Sequence, residues 1–121
     1  MKFAKIVFWV AGVFGVLVLT PLYFTFDLAG RLDPPPITHP QFYYGFVGVA
    51  LVWQFVYMPI ATDPLRFRPV MILALLAKAS YVTTLLVLYL QGRIAPVQAA
   101  TGVPDALFSL LFLLAFFKTG R

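Results

Sequence analysis

The chain has no cysteine and no glutamate, one histidine, and charged side chains at only 11% of its 121 positions. Each shortage removes a class of chemistry. Without cysteine there is no disulfide framework, no thiolate metal site and no Cys-x-x-Cys redox centre, which excludes small four-helix quinone reductases that work through a cysteine pair. A lone histidine, His39, cannot clamp a haem between two imidazoles of one chain. Proton relays and cation-coupled transporters need carboxylates inside the membrane, and small four-helix drug exporters depend on a glutamate in their first helix. The only acids here are Asp27, Asp33, Asp63 and Asp105, all at expected helix ends. No nucleophile–base pair, phosphate-binding loop or metal-ligand spacing occurs, so no enzymatic activity and no intrinsic cofactor are expected.

What is present is apolar. Hydrophobic residues make up 62% of the chain and mean hydropathy is +0.94, against roughly 45–50% apolar in soluble domains. The expected fold class is therefore all-α, a bundle of four transmembrane helices forming one integral membrane domain over residues 1–121. The net charge of +5 does not point to nucleic acid, because the basic residues stand singly at the ends of apolar runs and form no stripe.

The spans are expected at about residues 6–26, 42–61, 70–91 and 103–118. The first follows Lys2 and Lys5, as a signal peptide would, but its apolar run is too long and no small-residue cleavage site follows, so a retained helix is expected. Ala11 and Gly15, with Gly12 beside them, form a small-xxx-small pattern suited to close helix approach, and Pro21 should loosen the outer end. Asp27 to Thr38 is the longest polar connection, stiffened by Pro34, Pro35 and Pro36 in an extended polyproline segment. Pro40 suits the first turn of the second helix, with Thr38 or His39 as its cap. Ile94 to Gly102 reads as an interfacial loop, which leaves the fourth span short. Lys2, Lys5, Arg66, Arg68, Lys118 and Arg121 fall on one side, Arg31 and Arg93 on the other. The imbalance predicts both termini in the cytoplasm and residence in a bacterial cytoplasmic (inner) membrane.

The residues Thr38-His39-Pro40-Gln41-Phe42-Tyr43-Tyr44-Gly45-Phe46 and Asp63-Pro64-Leu65-Arg66-Phe67-Arg68-Pro69 carry a resemblance. In them the chain resembles an uncharacterised family of small bacterial four-helix integral membrane proteins. The resemblance implies a four-helix membrane fold and no activity.

Six residues are candidate site groups. His39 has the imidazole of a metal ligand, but its loop position before Pro40 favours an interfacial cap or a partner contact. Lys78 lies inside the third span; with no carboxylate expected at that depth, its stem should snorkel toward the cytoplasmic interface and Asp63. Ala77, Ser80, Tyr81, Thr84, Leu88 and Gln91 share one stripe of that helix, the expected bundle-facing side. Gln54 and Tyr81, beside Trp53, could hold a quinone or pigment carbonyl.

Two functions follow as expectations. The first is a non-catalytic accessory subunit of a larger inner-membrane complex, with a respiratory or photosynthetic electron-transfer assembly as the leading type. Its partners would be the bilayer and that complex, with lipid, quinone or pigment bound at the interface. The second is a free-standing binder or transporter of a lipophilic small molecule such as a quinone, through a pocket of Trp53, Gln54, Lys78, Tyr81 and Thr84.

Overall fold

The long helices are apolar on every side, so which faces pair is set by small residues and polar groups rather than by a single apolar stripe. The computed structural model describes residues 2–32 and 38–119. Helix α1 is Lys2–Leu19, followed by a 3-10 turn, Thr20–Phe24, and by the short α2, Phe26–Leu32. Then come α3, Pro40–Thr62; α4, Arg68–Leu90; α5, Pro96–Ala99; a 3-10 turn, Ala100–Gly102; and α6, Val103–Thr119. Four stretches are long and apolar enough to cross a membrane: Lys2–Phe24, Pro40–Thr62, Arg68–Leu90 and Pro96–Thr119.

The helix ends follow from local chemistry. Pro21 has no N–H for the α-helical ladder, and the helix tightens to 3-10 geometry at Thr20. The polar connection expected from Asp27 begins as helix α2, and its proline run lies outside the described residues. Pro40 opens α3 with His39 as its N-cap residue; the His39 carbonyl accepts from Phe42 N at 3.0 Å, while its side chain makes no cap bond. At the end of α4, Gly92 adopts φ 72°, and Arg93 N donates to Leu88 O at 2.9 Å while Gly92 N donates to Tyr89 O at 3.0 Å. This is a Schellman closure, which needs the conformation that glycine adopts without strain.

The fourth crossing departs from expectation. Helix α6 starts at Val103 as expected, but the loop expected before it is helical too, so residues 96–119 form an almost unbroken helical stretch of 24 residues, about 36 Å long. Pro96 sits in the first turn, and the Gln98 side chain accepts from Ala95 N at 2.7 Å, closing the helix start. Gly102 and Pro104 look like breakers in sequence, but the 3-10 turn carries the chain through them. Gly102 is filled from outside: a Cβ there would lie 2.7 Å from Leu85 Cδ1.

Around the bundle the order is α3, α1, α6, α4. Helix α1 packs along α3 and α6, α4 packs along α6, and the α3–α4 seam is the sparsest. The α1–α3 contact is close because Ala11, Gly12 and Gly15 are buried in it; a Cβ on Gly12 would come within 3.1 Å of the Gln54 carbonyl. Phe8, Tyr57 and Phe112, from three helices, meet at the centre. Phe8 stacks on Phe112 at 4.3 Å, and Tyr57 meets Phe112 edge-on at 5.1 Å. Four basic residues gather at one end: Lys2 and Lys5 border Asp63, Lys118 lies 5.4 Å over Phe3, and Arg68 stacks 3.7 Å over Phe116 while its Nε donates to Phe116 O at 3.0 Å.

The buried face of α4 differs from the expected stripe. Met71, Ala74 and Lys78 are buried; of the expected stripe, Ala77, Tyr81 and Leu88 are half-buried, whereas Ser80, Thr84 and Gln91 are exposed. The cause lies in partners on other helices that turn Lys78 inward.

Candidate functional site

Lys78 is the third residue of that buried stripe, ten positions past Arg68 and so about 15 Å into α4. Asp105 stands nine positions past Pro96, about 14 Å into the opposing crossing. Two antiparallel helices thus bring a cation and an acid to the same depth. Lys78 Nζ donates to Asp105 Oδ1 at 2.8 Å. The expected snorkelling toward Asp63 does not occur, because the longer fourth crossing places a carboxylate where none was expected.

Two rings flank the ammonium. It lies 5.6 Å from the Tyr57 centroid and 5.5 Å from that of Phe108, within reach of cation–π attraction. The Lys78 side chain is 9% exposed and that of Asp105 27%, so the aspartate is the more open partner, and both line the same cavity. Removing either partner would leave an uncompensated charge among apolar groups.

The opening is a cavity of about 350 Å³ between all four long helices. Trp53, Gln54, Lys78 and Tyr81, all singled out in the sequence, line it, together with Asp105, Tyr57, Phe14 and Phe46. Gly15, Ala50 and Ala77 border it with side chains too small to fill it. Phe46 and Tyr81 stack at 5.9 Å across the sparse α3–α4 seam. The Tyr81 hydroxyl is 3.5 Å from Thr101 Oγ1, which itself donates to Gln98 O at 2.7 Å.

Gln54 is 4% exposed, and its Nε2 donates to Ala50 O at 2.8 Å. That carbonyl can only accept, which fixes the amide orientation and leaves Oε1 without a hydrogen-bond partner among the described residues. Oε1 is pressed against Gly15, where an added Cβ would overlap it outright.

Two candidates lie elsewhere. Thr84 is exposed and its hydroxyl donates to Ser80 O of its own helix at 2.9 Å. His39 is exposed at the end of the bundle, its Nδ1 3.0 Å from Thr38 Oγ1 and its ring beside Phe42 at 5.6 Å. The sequence reading missed Asp105. A lysine at mid-span demands a counter-ion, and extending the fourth span back to Pro96 would have placed Asp105 at the matching depth. Among the described residues no cluster of His, Cys, Asp or Glu is arranged to hold a metal ion.

No family model matches the chain, and neither a curated protein nor a solved structure matches it.

Proposed function

We propose that this protein binds a lipophilic small molecule within the bilayer, in the cavity that the Lys78–Asp105 pair faces. The observation that supports this is an ion pair at mid-span beside about 350 Å³ of ring-lined space. A volume of that size falls in the range of small-molecule sites, which combine apolar walls with a few polar groups. A charged pair in a membrane interior is costly, and such groups mark functional sites by default. In this reading the basic end, with Lys2, Lys5, Arg66, Arg68 and Lys118, faces the cytosol together with both chain termini.

An accessory role in a larger complex is the other reading. Exposed apolar side chains are spread over all four long helices, as lipid contact requires, so they do not favour it over a free-standing binder. Fluorescence separates the two. With Trp9, which is 43% exposed on α1, changed to Phe, Trp53 becomes the single tryptophan and reports on the cavity. Titration of the protein in nanodiscs with a short-chain quinone should give saturable quenching that Lys78→Ala weakens. Quenching that stays linear in quinone, or that ignores Lys78→Ala, would rule the cavity out as a quinone-accepting site.

A further inference from the structure

We infer that the cavity selects neutral, hydroxyl-bearing aromatic molecules over ions of the same shape, because the charges that line it already balance each other. The inference rests on reading the cavity as a binding site, and adds which ligand chemistry it takes. Lys78 gives one N–H to Asp105 Oδ1, and Oδ2 takes no hydrogen bond among the described residues. The pair therefore offers an entering molecule both a donor and an acceptor, a few ångströms apart. A hydroxyl group answers both, donating to Oδ2 while accepting from the ammonium.

An ion answers only one. A carboxylate would gain Lys78 but meet the Asp105 charge already on it, and a quaternary ammonium would gain Asp105 but meet Lys78. In a low-dielectric site the unmatched repulsion and the lost hydration of the ion weigh more than they would in water. The walls supply the second half of the preference. Trp53, Phe14 and the stacked Phe46–Tyr81 pair present ring surfaces on which a flat aromatic body packs. Gln54 Oε1 is sealed against Gly15 and takes no part in this exchange.

Three probes of one shape test the idea: para-hexylphenol, para-hexylbenzoate and para-hexyl-trimethylanilinium. The phenol stays neutral at pH 7, since phenolic groups titrate near pH ~10. Binding is measured by Trp53 fluorescence in the Trp9→Phe background, in zwitterionic nanodiscs, with empty nanodiscs subtracting partition into lipid. The unaltered pair should bind the phenol roughly tenfold more tightly than either ion. Asp105→Asn leaves Lys78 uncompensated and should move the benzoate to first place. Lys78→Gln leaves Asp105 uncompensated and should move the trimethylanilinium to first place. The exchanged pair, Lys78→Asp with Asp105→Lys, restores balance and should return the phenol to first place.

Failure of all three probes to bind the unaltered pair would remove the binding-site reading itself. Binding without a preference for the phenol, or with one order in the unaltered protein and every variant, would overturn the selectivity and leave the site standing. Should either single variant fail to fold, the unaltered and exchanged pairs decide.

Discussion

The two halves of the bundle are built from the same four helices and end in opposite ways. Toward the basic end, Phe8, Tyr57, Ile60, Met71 and Phe112 are sealed between the helices. Toward the other end, Gly15, Ala50 and Ala77 leave a cavity, and Lys78 and Asp105 bring charge to its wall. The difference shows how one bundle can hold its shape and keep room inside. Ring packing in the filled half fixes the helix spacing, and small residues past it convert that spacing into volume.

Breaking the filled half should cost most. Phe112→Ala removes a ring shared by Phe8 and Tyr57 and should destabilise by about 3–5 kcal/mol, measured by unfolding in mixed detergent micelles. Quinone quenching per folded molecule should survive it, and loss of both together would erase the distinction between the halves. Breaking the open half comes next. Lys78→Ala strands Asp105 and should cost about 3 kcal/mol, toward the low end for a buried pair because Asp105 is partly exposed. A double-mutant cycle with Asp105→Ala should return a coupling above about 1 kcal/mol, and additive losses would deny the pair any joint role.

Gly15→Ala tests the boundary between the halves. It drives a methyl into Gln54 and should cost about 1–3 kcal/mol, with Gln54→Ala relieving most of it in the double variant. Arg68→Ala should cost about 1 kcal/mol, through loss of its bond to Phe116 O and its stacking on that ring. Thr84→Ala sharpens the contrast from below. Its hydroxyl serves only its own helix, so stability and quenching should stay within about 0.5 kcal/mol of the parent.

Much of the architecture was legible in the sequence, because long apolar runs can hide their backbone polar groups from lipid only as helices. The first three crossings follow from those runs, and Pro40 and Pro69 mark the starts of the second and third. The fourth was legible from Val103 on, but its first turns were not: Gly102 breaks a helix by local rule, and the 3-10 turn with Leu85 seated on Gly102 overrides that rule. The face of α4 was legible only in part, since Ala77 and Tyr81 do line the cavity but Ser80 and Thr84 do not face inward. Counting polar residues by helical period favoured Ser80 and Thr84, while the rotation is set by Asp105, Phe108 and Tyr57 on other helices. Trp53, Gln54, Lys78 and Tyr81 were identifiable as polar or ring-bearing groups at mid-span, and all four line the cavity. Their shared depth with Asp105 could be seen only once the length of the last crossing was known.

The seat that Gly15 gives to Gln54 ties two positions of the chain together. Neither residue can drift alone, since a larger side chain at 15 evicts the amide and a shorter one at 54 opens a void between α1 and α3. Relatives of this protein should therefore carry matched pairs at these sites, a glycine with a long amide or a bulkier residue with a short one, and the lineage should record both exchanges arriving together.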